Sequence, residues 1–328
     1  MNAAKVMVSI VTYNSSKYIK DCVDAVLQQT FRDFILVIYD NNSSDSTRSI
    51  IDTYRDGRVY TKYGEENIGF GSAHNWSINH FASDYVLVLN PDAILQPTFL
   101  EATIPYFDAE PRIGSTASLL LSDQSDDPVI DCAGITFTRS RRFKLRYSGK
   151  PAAGVKLKPG YVDGVDGAAA FYRRKAIESI MINSELFDDS YFLYGEDWDV
   201  SWRLQLAGWK CMFVPDAVGC HFRQFKQRAL SGRKYIDKDI KFHSFKNSIV
   251  SVIKNDDSLN FALDLVHIGA RFVLLFIYSL LFEFYSLKAI PYVFSNLRKI
   301  LHARRMIQSN RKVSRWHLRK EFILEAAA

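Results

Sequence analysis

Tyr85-Val86-Leu87-Val88-Leu89-Asn90-Pro91-Asp92-Ala93 is the stretch whose reading decides the fold. Its unbroken apolar run, rich in β-formers, predicts a strand buried on both faces, as in a parallel sheet. Pro91 has no amide hydrogen to give a ladder, so the chain must leave the sheet there, at the strand's carboxyl end. In open α/β sheets, ligands bind at that end. Asn90 and Asp92 then present two side-chain oxygens on one turn, a donor set suited to Mg2+ or Mn2+. A plain Pro-Asp turn is the alternative.

Upstream, strands and helices alternate. Residues 6–13 read as a strand ended by Thr12-Tyr13-Asn14-Ser15, and residues 17–29 carry helical spacing through Tyr18, Cys22, Ala25 and Val26. Residues 34–39 form a second strand closing on Asp40-Asn41-Asn42-Ser43-Ser44-Asp45. That cluster can cap a helix over 46–54 and also point oxygens at a ligand. A short strand near 59–62 precedes Glu66-Asn67-Ile68-Gly69-Phe70-Gly71, which opens a helix whose first amides are expected to face phosphate. The alternation predicts a parallel, doubly wound α/β sheet. No Gly-x-Gly-x-x-Gly follows the first strand, and there is no Walker loop or His-Glu-x-x-His helix. A dinucleotide oxidoreductase, a P-loop enzyme and a zinc protease are therefore not expected.

Beyond Asp92, residues 98–107 look helical and 113–121 read as a strand. The basic segment from Arg139 to Lys158 reads as a solvated surface loop, or as a lid or loop for an anionic acceptor. Residues 163–170 are small and turn-rich, which lets backbone approach a ligand, with Asp166 as the polar group there. A second carboxylate cluster, Tyr194-Gly195-Glu196-Asp197-Trp198-Asp199-Val200-Ser201-Trp202-Arg203, begins a helix that stops at Gly208. Acidic residues in a first turn complement the helix dipole. The aromatic approach through Tyr191, Phe192 and Tyr194 further predicts a carboxylate of raised proton affinity, fit for a general base. A strand over 211–214 leads to His221, a metal or phosphate ligand or else a surface imidazole.

Of 328 residues, 48% are hydrophobic, enough for one large or two modest cores. The net charge is +6, but Lys288 to Lys320 holds ten Lys or Arg and no acid, so subtracting those ten leaves −4 elsewhere. Cys22, Cys132, Cys211 and Cys220 lack metal-ligand spacing and fit reduced core thiols. Lys5 leads straight into a strand, so no leader peptide is expected. The longest uncharged run in the apolar region 261–294 is the eleven residues between Arg271 and Glu283. That is shorter than the roughly twenty residues of a simple membrane span. An apolar segment with an all-basic stretch behind it predicts an interfacial helix on an anionic membrane surface. A core helix, or a pair that forms a homo-oligomer, is the alternative, and no motif accompanies the charge that would indicate nucleic acid. The expected division is a catalytic domain over 1–258 and a helical membrane-associating or oligomerising region over 259–328.

Taken in order, these motifs resemble the family-two inverting glycosyltransferases over about residues 5–222. The resemblance rests on Ser9-Ile10-Val11-Thr12-Tyr13-Asn14, Asp40-Asn41-Asn42-Ser43-Ser44-Asp45, Asn67-Ile68-Gly69-Phe70-Gly71, Leu89-Asn90-Pro91-Asp92 and Gly195-Glu196-Asp197-Trp198-Asp199. Asn-Ile-Gly-Phe-Gly and Asn-Pro-Asp are similar to the bacterial rhamnosyltransferase subgroup. The resemblance implies a nucleotide-sugar-binding glycosyltransferase-A type fold and a dTDP-L-rhamnose donor. It also implies a lipid-linked or polysaccharide acceptor and an enzyme at the cytoplasmic membrane face. It places Thr12, Tyr13, Asn14, Asp40, Asn42, Asn67, Gly69, Asn90 and Asp166 around the donor. Asp92 and His221 would hold Mg2+ or Mn2+. Asp197 would be the general base, with Glu196 and Asp199 beside it and Arg203 orienting that cluster or the leaving diphosphate. Asn90 stands where the family often has an Asp. The chain continues His221-Phe222-Arg223-Gln224 where rhamnosyltransferases often have Gly and Ser after the histidine. A same-fold enzyme using another nucleotide sugar, and a non-catalytic membrane scaffold, are the competing readings. Intact Asp92 and Asp197 argue against the scaffold.

Overall fold

Strands β1 (Ala4–Thr12), β2 (Phe34–Asp40), β3 (Val59–Tyr63) and β4 (Ser83–Leu89) carry the apolar runs, and alternate residues of each run enter opposite faces of one sheet. Val6, Val8, Ile10, Leu36, Ile38, Leu87 and Leu89 join one apolar cluster, while Met7, Val37, Val86 and Val88 join the other. A strand of continuous apolar sequence needs both faces covered, and here both are. Each such side chain, fully buried, stabilises the fold by about 1.5–3 kcal/mol. The computed structural model describes residues 4–223 and 237–316.

The chain continues through β5 (Ala93–Leu95), β6 (Ile113–Leu121), β7 (Ile130–Cys132), β8 (Ile135–Phe137), β9 (Phe143–Leu145), β10 (Gly160–Val162), β11 (Ala169–Arg173) and β12 (Lys210–His221). The main sheet runs β10-β12-β6-β11-β4-β1-β2-β3, with β5 paired to β12 and β7 to β6. The first four strands are parallel, as the alternation predicts, and their crossovers carry α1 (Ile19–Leu27), α2 (Thr47–Ile51) and α3 (Phe70–His80). The second half is mixed: β11 is antiparallel to β4 and β6, whereas β12 is parallel to β6. Helix α4 (Phe99–Ala109) leads into β6, but no helix lies between β6 and β11, and a parallel return needs a long crossover. The strand expected over 113–121 forms with those bounds, and all four cysteines are buried and free. Helices α5 (Arg174–Glu178) and α6 (Glu196–Leu206) complete the sheet domain.

Two expectations need correction. The basic segment after Arg139 is not simply a solvated loop. Its first part is the turn of the β8–β9 hairpin, with Arg141 buried. Arg139 and Arg141 donate to Asp264, just before the helix Leu265–Phe282, and Arg141 also to Asp256, just after the helix Lys238–Asn255. Sequence spacing cannot show partners more than a hundred residues away. The apolar region, too, is longer than its uncharged run. Leu265–Phe282 is one helix of 18 residues with mean hydropathy 2.0 and 11% of it buried, long and apolar enough to cross a membrane. It extends past Arg271 because that guanidinium turns back onto the Ser140 and Arg141 carbonyls and the Ser248 hydroxyl. Arg319 and Lys320 of the basic stretch lie outside the described residues.

Removing one partner of a buried ion pair strands the other charge, at a cost of about 3–5 kcal/mol. Asp264→Ala should therefore lower unfolding stability by about that amount in a urea titration. Lys20→Ala, which breaks an exposed pair with Asp24, should leave the midpoint unchanged.

Candidate active site

The carboxyl ends of β1, β2 and β4 form one rim. Thr12 ends β1 beside Asp40, its register partner on β2, and donates its hydroxyl to the Asp40 carboxylate at 3.0 Å. Asp40 is fully buried and also accepts from the Ser43 amide and the Arg48 guanidinium. It thus organises the loop and needs no ligand to be satisfied. Tyr13 projects into solvent next to it. Asn14 and Asn42 adopt left-handed backbone, φ 50° and 64°, and accept from Ser44 and Arg48 respectively. Asn67 accepts from the Gly69 amide, so Asn67 and Gly69 shape the entry to α3. Gly69 has φ 87°, and a Cβ there would lie 2.7 Å from the Phe192 carbonyl oxygen, so only glycine fits.

Asn90 and Asp92 follow β4 as expected, and the Asn90 amide is held by the Ala168 carbonyl at 2.9 Å. His221 ends β12, paired in register with Ala93, which brings its Nε2 to 3.4 Å from Asp92 Oδ1 and 3.5 Å from Asn90 Nδ2. The other ring nitrogen, Nδ1, is 3.0 Å from Asp131. Burial pulls the imidazole pKa down, but hydrogen bonds to Asp131 and Asp92 outweigh it and hold the group up at about 9. Arg223 bridges Asp131 and Asp166 at 2.5 and 2.9 Å. Asp131 and Arg223 were not among the candidate residues. An acid flanked by apolar neighbours in Val129-Ile130-Asp131-Cys132 is the only signal the chain offers for the first. Gln224 lies outside the described residues.

Asp92 and His221 fit a divalent cation. His221 Nε2 faces Asp92 Oδ1 at 3.4 Å, and the two could share a cation once the imidazolium proton is released, with Asp131 orienting the ring from behind as carboxylates do for metal-binding histidines. Among the described residues no group of three His, Cys, Asp or Glu is arranged as a metal cage. Mg2+ commonly takes only one or two carboxylates and completes its shell with substrate phosphate and water.

The acidic cluster of α6 divides. Asp197 accepts from the Gly167 amide at 3.1 Å and from the Trp198 amide at 2.7 Å. Burial and the nearby Asp166 carboxylate raise its pKa. Burial and Asp197 raise Glu196 as well, and Glu196 Oε2 has no hydrogen-bond partner among the described residues. Two amides favour the ionised form of Asp197, which makes it the more readily ionised member of the pair. Asp199 is engaged elsewhere. Burial would raise its pKa, but the Lys254 and Arg203 charges win and lower it. Arg203 donates to Asp199 at 2.9 Å and to the Ile180 and Leu186 carbonyls, which fixes it inside the protein and away from the rim.

Residues 7–181 match the profile described as glycosyl transferase family 2. An uncharacterized glycosyltransferase of Methanocaldococcus jannaschii is 30% identical over 112 residues, 33% of this chain and 39% of that protein. The N-acetylglucosaminyl-diphospho-decaprenol L-rhamnosyltransferase of Mycobacterium tuberculosis is 24% identical over 243 residues, 65% of this chain and 74% of that one. Among solved structures, a mannosyltransferase from Pyrobaculum calidifontis, in complex with GDP-Man and Mn2+, superposes with a TM-score of 0.55 at 15% identity. That superposition covers 94% of this chain and 86% of the mannosyltransferase, and it shows a shared glycosyltransferase-A type fold. Since the family profile takes in more than half of its 328 residues, the chain belongs to glycosyl transferase family 2.

Proposed function

We propose that the chain transfers L-rhamnose from dTDP-L-rhamnose, with inversion, to a lipid-linked or polysaccharide acceptor in surface-glycan synthesis. The observation that carries the reading is Asp197: an amide-held, half-buried carboxylate of raised proton affinity, beside the same Asp166–Arg223 pair that neighbours His221 and Asp131. The choice of sugar rests on the mycobacterial relative, whose name specifies rhamnosyl transfer and most of whose length is matched.

Tyr13, with the loops at Asn14, Asn42 and Asn67, would receive the nucleoside. Asp92 and His221 would hold Mg2+ or Mn2+, which neutralises charge on the diphosphate when bound. Asp197 takes the proton of the acceptor hydroxyl as its oxygen bonds to the anomeric carbon. The bond from that carbon to the phosphate oxygen breaks at the same time, and its electron pair leaves with the nucleoside diphosphate. Attack from the face opposite the leaving group inverts the centre, as in inverting glycoside hydrolysis. The helix Leu265–Phe282 exposes Val266, Leu274, Phe276 and Leu281, and a basic stretch follows it. This pairing suits a peripheral seat on the anionic cytoplasmic face of the membrane, where a lipid-linked acceptor resides.

Incubated with a panel of nucleotide sugars and Mn2+, the protein should release nucleoside diphosphate fastest from dTDP-L-rhamnose. A faster release from a UDP- or GDP-sugar would transfer the assignment to that donor, and release from none would favour a non-catalytic role.

Asp197→Asn should reduce turnover about a hundred- to ten-thousand-fold while sparing dTDP binding. Because burial raises the carboxyl pair, turnover in the parent should fall on acidification at a pH above the ~4 of an ordinary carboxylate. An acid limb at or below that value would remove Asp197 as the base.

Leu274→Asp with Leu281→Asp should abolish flotation with anionic vesicles and leave the monomer–oligomer distribution unchanged. A changed oligomeric state without vesicle binding in the parent would identify a subunit interface instead.

A further inference from the structure

The turn that delivers the base is backbone-strained and gripped from outside the sheet domain. Phe192, Tyr194 and Gly195 have φ of 62°, 66° and 90°, directly before Glu196 and Asp197. Left-handed backbone in bulky residues persists only where surrounding contacts hold it. Those contacts come from the helix Lys238–Asn255. The side-chain nitrogen of Asn247 donates to the carbonyls of Tyr191, Leu193 and Tyr194 at 3.0, 2.9 and 2.6 Å. The same helix adds more at the neighbouring residue and one and two turns further on. Ser251 meets the Tyr191 hydroxyl at 2.6 Å, Asn255 donates to Asp199 at 2.7 Å, and Lys246 donates to the Ser190 carbonyl. Lys254 pairs with Asp188 at 2.5 Å and with Asp199 at 3.3 Å. Residues 247, 251 and 255 recur every fourth position, so one polar stripe of the helix faces the turn, with Asn247 on its backbone and the other two on the Tyr191 and Asp199 side chains. On its other side the turn touches the donor loop, where the Phe192 carbonyl accepts from the Phe70 amide at 2.8 Å.

We infer that Asn247 is a positioning residue for the transfer reaction: by clamping residues 191–194 it sets the place of Asp197 and keeps water from it. This rests on Asp197 being the base. Asn247 is buried and its Oδ1 has no hydrogen-bond partner among the described residues. The amide therefore serves the three carbonyls alone. Lost without replacement, it leaves carbonyls unsatisfied in a buried turn, which relaxes by moving or by admitting water. Either change reaches Asp197 within three residues of chain. The titratable and charged groups that act on Asp197 are the ion-paired Asp166 and Arg223, Glu196 on its own helix and the Tyr172 phenol of β11. From the clamping helix, Lys254 reaches Asp199 instead. Loss of Asn247 therefore changes the hydration of Asp197 without removing any of these charges.

The test uses the full chain and the sugar nucleotide that the parent turns over fastest. Asn247→Ala should lower kcat roughly a hundredfold, the loss that follows a displacement of about 1 Å at a reacting group. Its acid limb should move down toward the ~4 of a hydrated carboxylate. The affinity for dTDP in Mn2+ should stay at the parent value, and Asn247→Ser, which keeps a hydroxyl donor, should recover part of the rate. Should the alanine variant fail to fold, the serine variant carries the test, its acid limb lying between the parent's and ~4. A lowered kcat with an unmoved acid limb, or a parallel loss of dTDP affinity, overturns the inference. Asp197→Asn separates the two levels. If it is inactive while the acid limb of Asn247→Ala stays put, the base reading stands and only the positioning role falls. If Asp197→Asn keeps turning over, the base reading falls and takes this one with it.

Discussion

Asp92, Asp131, Asp166, Glu196 and Asp197 meet at one end of the sheet, and every one of them is at least partly withdrawn from water. Gathering carboxylates out of water costs several kcal/mol per uncompensated charge. The sequence of contacts Asp92–His221–Asp131–Arg223–Asp166 meets that cost by alternating acid and base. Asp197 has no ion-pair partner in that chain of contacts, and burial and the nearby Asp166 carboxylate keep its proton affinity raised against the pull of two amides and the Arg223 charge. The chemistry follows from where the cations stop.

The same constraint shapes the helical region. Asp199, two residues past the base, takes Arg203 and Lys254 and is thereby fixed as an anchor. Trp198 and Trp202 on the same helix pack against Phe137 of the β8–β9 hairpin, and Phe143 of that hairpin lies against Trp198. The hairpin turn in turn holds Asp264, the residue before Leu265–Phe282, through Arg139 and Arg141. The exposed apolar helix is therefore tied by ion pairs to the hairpin that packs against the helix bearing the base.

How much of this is legible in the sequence depends on sequence distance. The Asn90-Pro91-Asp92 turn is legible because a proline ends an apolar run and both acceptors lie within two residues. The β1 to β4 half follows from alternation alone. Asp131 is hidden because its meaning comes from a histidine 90 residues later. Arg203 and Asp199 have the composition of a catalytic cluster, and only the packing of Lys254, Ile180 and Leu186 around them turns them inward. Arg139 and Arg141 look like a solvated basic loop for the same reason, since their acids lie more than a hundred residues away.

Asn90 can be understood from charge as well. Asp92, Asp131, Asp166 and Asp197 carry four formal negative charges against the positive charges of Arg223 and a protonated His221. Were His221 to release its Nε2 proton and hold a divalent cation, the balance would stand at four negative charges against three positive, before any diphosphate arrived. A carboxylate at position 90 would add a fifth negative charge two residues from Asp92, on the turn proposed to meet the diphosphate. At about 4 Å and an effective dielectric constant near 20, two like charges repel by about 4 kcal/mol. The neutral oxygen of Asn90 keeps a donor atom at the turn without that repulsion. Asp131 already supplies the second acid that pairs with His221, so a neutral residue at position 90 fits the charge of the rim.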